Sequence, residues 1–157
     1  MQVFGKSLSE YIRFQKPILI TILMVGLLRL ILSLAGVPDG TVRWLSMTVV
    51  ALIGVFYYGI QVPRTGFGSY RHLLPLAVIQ STLANGIAIV GILITLATGQ
   101  QNIFTAPEFG GGGQGAFHLF GHVVFGIGIG SILSWGISSL VMLITRKFAQ
   151  PSAAAIP

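Results

Sequence analysis

Cysteine is absent from the 157 residues, and charged side chains are scarce. Without cysteine the chain forms no disulfide, thiolate metal site, iron–sulfur cluster or lipidated thiol. Charged residues make up 8% of the chain, whereas a soluble domain has about 25%. So little charge does not cover a water-soluble fold, and it excludes a broad basic surface for nucleic acid. The class that remains is a protein embedded in a lipid bilayer.

Apolar residues instead make up 54% of the chain and are concentrated in four long runs. A hydrocarbon core about 30 Å thick is crossed by roughly 20 helical residues, and each run reaches about this length. The sequence therefore predicts an all-α integral membrane protein, a four-transmembrane-helix bundle that forms a single domain over residues 1–149. The predicted spans are 18–37, 44–62, 73–98 and 117–145.

The residues before the first span have the pattern of a helix start. Ser7 followed by Glu10 three residues later fits a capping box. Basic and apolar residues then alternate at helical spacing as far as Pro17, which suits the first turn of a spanning helix. We therefore predict a short N-terminal interfacial helix that lies on the membrane surface and leads into the first span.

Two other segments lie outside the predicted spans. The third loop, 99–116, is the longest and contains a glycine run at 110–115, which predicts a flexible linker. Phe104 and Phe109 are expected to seat its first part on the membrane surface. The tail 150–157 is rich in Ala and Pro, and we expect it to be disordered.

The distribution of basic residues predicts the orientation. Cytoplasmic loops of membrane proteins carry an excess of Lys and Arg. The first and third loops contain one such residue, Arg43, and Arg29 lies inside a span. The sequence thus predicts a multi-pass protein of the plasma membrane (the bacterial inner membrane) with both termini in the cytoplasm. The N-terminus, second loop and C-terminus carry the other seven basic residues: Lys6, Arg13, Lys16, Arg64, Arg71, Arg146 and Lys147.

The fourth span carries a stripe of small residues at four-residue spacing. Small side chains allow the backbones of two helices to approach closely in lipid. The stripe predicts helix packing, either inside the bundle or in a contact with a second copy or another membrane subunit. Lipid and such a subunit are the expected partners. The stripe consists of Gly126, Gly130, Ser134 and Ser138, and His118 and His122 precede it at the same spacing.

The two histidines also form the candidate site for a metal or a cofactor. His118 and His122 are one helical turn apart, a spacing that lets two imidazoles face one metal ion. Glu108 in the preceding loop and Asp39 in the first loop are candidate third ligands, and Arg29 maps to the same half of the membrane. The alternative interpretation is two interfacial histidines and an arginine that extends to the lipid headgroups. A charge inside a span is costly, so we expect Arg29 to reach either the external interface or a polar partner, Glu108 or His122.

Two functions are compatible with these features. The first is a small non-catalytic membrane protein that serves as an accessory, assembly or anchor subunit of a membrane complex. The alternative is a membrane redox protein, or one that binds a metal, haem or quinone through the His pair. The sequence requires no cofactor and contains no distinctive catalytic triad, which favours a protein that is not an enzyme. A cluster of Gln80, Ser81 and Asn85 in the third span is interpreted as hydrogen bonding between helices.

Overall fold

Helix α1 (Leu8–Leu34) begins at the cap that the sequence predicts. The Ser7 hydroxyl accepts a hydrogen bond from the Glu10 backbone N–H at 3.3 Å, and the Glu10 carboxylate accepts one from the Ser7 N–H at 2.7 Å. A two-stranded antiparallel hairpin, β1 (Gln2–Val3) paired with β2 (Lys6–Ser7), precedes this cap. The predicted capping box is therefore present and fixes the first turn of the helix.

The computed structural model describes residues 2–107 and 115–149. Within them, four helical stretches are long and apolar enough to cross a membrane, as predicted from the sequence. The last stretch is continuous, but its middle part has the wider hydrogen-bond pattern of a π-helix. The elements after α1 are α2 (Asp39–Val42), α3 (Met47–Arg64), α4 (Tyr70–Thr98), α5 (Gly115–Gly121), a π-helical segment (His122–Ile129) and α6 (Gly130–Ala149).

The separate interfacial helix predicted before Pro17 is wrong, because α1 continues through that proline. Tyr11, Gln15, Ile18 and Ile22 are all buried and follow one another at three- or four-residue spacing on both sides of it. This buried stripe packs against the bundle as a single surface. Packing of the stripe thus stabilises a continuous helix and offsets the hydrogen bond that Pro17 does not donate.

The four long helices form a bundle in which α3 and α4 are the central pair. Helix α1 packs on α3 and α4 from one side, and α6 packs on the same two helices from the other. The hairpin reaches the start of α4, where the Phe4 carbonyl lies 3.2 Å from His72 Nε2, and the Arg146 guanidinium of α6 lies over the Tyr70 ring. We call the half of the bundle at this end the terminal half and the opposite half the distal half.

The terminal half is closely packed. A Cβ atom placed on Gly59 of α3 would lie 2.7 Å from the Ser138 carbonyl oxygen and 2.6 Å from Val141 Cβ, so the backbones of α3 and α6 are in direct contact there. The Ser138 hydroxyl donates a hydrogen bond to the Val55 carbonyl at 2.9 Å. Phe14 and Phe67 stack with their ring centroids 4.1 Å apart beside α1. Small residues and aromatic rings leave little space between the helices at this end.

The described part of the third loop folds back into the bundle, whereas most of the glycine run for which a flexible linker is predicted lies outside the described residues. Asn102 is buried, and its side chain donates to the Gly91 carbonyl at 2.7 Å and to Thr95 Oγ1 at 2.8 Å. The Ile103 N–H donates to Ser33 Oγ of α1 at 2.8 Å. The buried amide anchors the loop to α4. The predicted seat of Phe104 on the membrane surface is wrong, because its ring is half-buried and faces Arg29.

Several predictions concern residues outside the described parts of the chain. These are the third-ligand role of Glu108, the surface position of Phe109, most of the glycine run at 110–115, and disorder of the tail 150–157.

Candidate ligand-binding site

The helices that touch at Gly59 diverge toward the distal end, and a cavity lies between them. The π-helical segment packs on α4 rather than on α3. Gly126 allows this approach, because a Cβ atom at this position would collide with the side-chain amide of Asn85. On the opposite wall, α3 contributes Met47, Thr48 and Ala51. Close packing of the last helix on α4 thus leaves the space beside α3 open.

The cavity has a volume of about 420 Å³, within the range of about 300–1,000 Å³ that is common for small-molecule sites. All four long helical stretches and the loop contribute to its wall. Thr48 is exposed on the outside of the bundle as well as lining the cavity, so the cavity reaches the bundle surface beside α3. The lining residues are Arg29, Met47, Thr48, Ala51, Gln80, Ser81, Ala84, Asn85, Ala88, Ile103, Phe104, His118, His122, Gly126, Gly130 and Ser134.

Arg29 is the charged residue of the cavity wall. Its guanidinium carbon lies 5.4 Å from the centroid of the Phe104 ring, an arrangement typical of a cation–π contact. The Asn102 side-chain oxygen accepts a hydrogen bond from the Phe104 N–H at 3.0 Å and so fixes this ring beside the guanidinium. Arg29 Nε is buried, and no hydrogen-bond acceptor lies within reach of it in the part of the chain that the structure describes.

The two histidines are close together on the distal side of the cavity. The ring centroids of His118 and His122 are 5.0 Å apart. His122 Nδ1 lies 2.8 Å from the Asn85 side-chain oxygen, and Asn85 donates its amide N–H to the Ser81 carbonyl at 2.9 Å. Because this second bond fixes the amide orientation, His122 Nδ1 is the donor. The neutral ring therefore keeps Nε2 as an acceptor or a metal ligand.

A buried chain of polar side chains lies next to the cavity, which Gln80 lines. Tyr58 of α3 donates its hydroxyl to the side-chain oxygen of Gln80 at 2.8 Å, and Gln80 donates its amide to the Ala51 carbonyl at 3.0 Å. Gln15 of α1 lies on the other side of the same hydroxyl at 2.9 Å. All three side chains are almost fully buried. This chain joins three helices beside the cavity.

The residues of the predicted small-residue stripe occupy different environments. Gly126 lies against Asn85 of α4, and Ser138 is buried against α3. For Gly130, the nearest atom to an added Cβ is the Phe125 carbonyl oxygen of its own helix, at 3.3 Å. Gly130 and Ser134 both line the cavity. Part of the stripe thus forms a cavity wall.

The structure brings Arg29, His118 and His122 to one cavity, although they come from different helices. Sequence reasoning did not identify Gln80, Ser81 and Asn85 as part of the same wall. Their spacing along α4, with Asn85 four residues after Ser81, was a usable signal, because it places these two polar side chains on one face of a helix. For Phe104, which was predicted to lie on the membrane surface, the sequence contained no pattern that indicated a place in the cavity wall.

The arrangement suits binding of a polar or negatively charged group. The wall offers one guanidinium, two imidazoles, and several amide and hydroxyl groups, and no carboxylate of the described residues lines it. Among the residues in 2–107 and 115–149, no group of three His, Cys, Asp or Glu side chains is placed to hold a metal ion.

Comparisons with known proteins give no further guidance: no protein-family model matches this chain, and no curated protein or solved structure is significantly similar to it.

Proposed function

We propose that this protein is a non-catalytic membrane protein that holds a small amphiphilic molecule between its helices. The observation that carries the proposal is the polar-walled cavity in the distal half, which lies among apolar helices long enough to span a bilayer. A polar cavity in such a place is costly unless water or a ligand satisfies its groups. As an accessory or assembly subunit, the protein would present or store this molecule for a membrane complex.

The lining and the opening of the cavity favour an amphiphile over a fully water-soluble ligand. Polar groups such as Arg29, Gln80 and Asn85 stand beside apolar ones such as Met47 and Ala88. The cavity opens beside the exposed Thr48 on the lateral surface of the bundle, which lipid chains surround when α3 spans a membrane. A molecule with a polar head and an apolar chain matches both parts.

Ala84 is half-buried and lines the cavity. The variant Ala84→Phe tests the proposed function, because the added ring would occupy part of the cavity. The matched control is Leu93→Phe on the same helix, where the side chain is 49% exposed. Binding of dodecanol and dodecyl phosphate is measured by native mass spectrometry in a non-ionic detergent. We expect one molecule of one or both probes per chain in the wild type and in the control, and weaker binding in Ala84→Phe. Equal binding by all three proteins, or by none, contradicts the proposal.

The His pair supports a second candidate function, a metal- or cofactor-binding protein. The bond from His122 Nδ1 to Asn85 resembles the orienting contact that metal-ligating histidines usually make through their second nitrogen. Haem or a quinone remains an alternative occupant. Metal analysis and an optical spectrum of the purified protein test this candidate. About one equivalent of metal, or a haem absorption band, that disappears in a His118→Ala, His122→Ala variant would support it.

We also propose that the protein lies in a bacterial plasma membrane with both termini in the cytoplasm, on the basis of the seven-to-one distribution of Lys and Arg. The distal half then lies toward the outer surface. In intact cells, a cysteine at the exposed Gln101 should react with an impermeant thiol reagent, whereas one at the exposed Ser9 should not. The reverse labelling pattern contradicts this orientation. Association with a second copy or another subunit through the fourth helical stretch stays a prediction.

A further inference from the structure

The guanidinium of Arg29 has no carboxylate within ion-pair distance among the described residues. The ion pair between Lys6 and Glu10, at 3.7 Å, does not involve it, and no other ion pair within 4.0 Å joins described residues. Asp39, the acidic residue on the distal side within the described parts, acts on the Arg29 charge through space but lies beyond ion-pair distance, and its Oδ1 accepts a hydrogen bond from the Ser33 hydroxyl at 2.8 Å. Phe104 supports one face of the guanidinium but accepts no hydrogen bond in the plane of its N–H groups.

The other groups on the wall do not replace an anion. The side-chain oxygen of Asn85 accepts from His122, and that of Gln80 accepts from Tyr58. Both amides are therefore engaged with their own neighbours. A guanidinium inside a span gains most from an oxyanion, a carboxylate or a phosphate, that accepts two parallel hydrogen bonds and neutralises its charge.

We propose that the cavity binds an oxyanion, a carboxylate or a phosphate, that is carried on an apolar chain, and that Arg29 contacts this anion. The inference rests on the proposed function, since it assigns the chemistry of the ligand in the same cavity. The anion lies against Arg29, and the chain leaves beside Thr48 toward the surrounding lipid. Phe104 is a positioning residue, because it holds the guanidinium without contacting the ligand charge.

Three probes separate the contribution of the anion to binding from that of the apolar chain. Dodecyl phosphate carries the anion and the chain, dodecanol carries the chain alone, and inorganic phosphate carries the anion alone. Affinities are measured with the purified full-length protein in a non-ionic detergent, by the shift in thermal midpoint as a function of probe concentration. We expect dodecyl phosphate to bind at least about tenfold more tightly than dodecanol, because a charge-assisted hydrogen bond is lost with the alcohol. Inorganic phosphate is expected to compete weakly.

Substitutions at Arg29 test the assigned contact. Arg29→Met should remove the preference for dodecyl phosphate over dodecanol, and Arg29→Lys should keep part of it because the charge remains. The matched control is Arg43→Met, since Arg43 is exposed and stacks on Trp44 outside the cavity. If Arg29→Met does not fold, the wild-type ratio and the Arg29→Lys ratio still decide the question.

Five outcomes overturn the inference. Equal affinity for dodecyl phosphate and dodecanol, or an unchanged preference in Arg29→Met, contradicts binding of an oxyanion by Arg29 but is compatible with the proposed binding of an amphiphile. Competition by inorganic phosphate as strong as that of dodecyl phosphate shows that the apolar chain of the ligand does not contribute to binding. Binding of dodecyl phosphate that appears only in Asp39→Asn or only in Glu108→Gln shows that this carboxylate is the internal partner of Arg29. Failure of all three probes in every protein contradicts the proposed function as well.

Discussion

In the terminal half of the bundle the backbones of α3 and α6 meet at Gly59, whereas in the distal half a cavity separates α3 from the π-helical segment. Both halves contain buried polar side chains, but they use them differently. The hydroxyls of Tyr58 and Ser138 each donate to a nearby oxygen, whereas Gln15 Nε2 and Ser139 Oγ are buried without a partner among the described residues. Around Arg29, by contrast, the polar side chains line the open cavity. The difference indicates that one half supplies stability and the other a site, a division common in proteins that bind ligands.

The largest effect is expected from Gly59→Leu, which should separate the helices of the terminal half. An added side chain would meet the Ser138 carbonyl oxygen and Val141, and neither can move without displacing α6. We expect a loss of about 3 kcal/mol in the free energy of unfolding in detergent, the upper end of the range for overpacking. The control is Gly136→Leu on α6, where nothing lies within 4 Å of an added Cβ. Equal losses in the two variants would show that the close contact is not important.

A smaller loss is expected from Asn102→Ala, which should release the loop that closes the distal half. The substitution leaves the Gly91 carbonyl and the Phe104 N–H without their partner. Buried groups left in this way cost about 1–3 kcal/mol, and we expect about 2 kcal/mol here. Thermal unfolding and proteolysis of the loop provide the measurements. Gln101→Ala, at an exposed neighbouring position, should change neither, and a similar loss in both variants would contradict the anchoring role.

Tyr58→Phe removes the hydroxyl at the boundary between the two halves. Gln80 then loses the donor to its side-chain oxygen, and Gln15 loses its contact as well. Hydrogen bonds between membrane helices contribute about 0.6 kcal/mol on average and up to about 1.7, so a loss of about 1 kcal/mol in unfolding free energy is expected. The adjacent Tyr57→Phe serves as the control. A variant as stable as this control would show that the buried chain is not stabilising.

The smallest effect is expected from Trp135→Phe on the outer surface of α6. The indole N–H donates to the Tyr70 carbonyl at 2.9 Å, but the side chain is 37% exposed. Loss of this bond should cost about 0.5 kcal/mol. Trp44→Phe, at a side chain that is 79% exposed, should have no effect on thermal stability. A loss above that of Tyr58→Phe would reverse the ranking and contradict the assignment of stability to the interior of the terminal half.

Much of the fold follows from the sequence, because spans are determined by local composition. Hydropathy located the four helical stretches, and the spacing of Ser7 and Glu10 located the first cap. The continuity of α1 through Pro17 was not predictable in this way. It depends on tertiary packing of a buried stripe, which outweighs the local preference of one proline.

The candidate site was predictable only in part. Topology alone placed Arg29, His118 and His122 in the same half of the bundle. The cavity itself arises because Gly126 lets the last helix approach α4 while α3 stays apart, a relation between helices that no single segment records. The fold-back of the loop depends likewise on Asn102, whose amide finds its partners on α4.

Accessibility of single cysteines in α4 tests most directly whether the distal half is hollow and the terminal half solid. The chain contains no native cysteine, so each introduced thiol is the only one present. Ala88 is 3% exposed and lines the cavity, whereas Ala77 is 1% exposed in the terminal half. With a small, membrane-permeant methanethiosulfonate reagent, the account predicts faster modification of Ala88→Cys than of Ala77→Cys in the folded protein. Equal protection of both thiols, or faster reaction at residue 77, would contradict it.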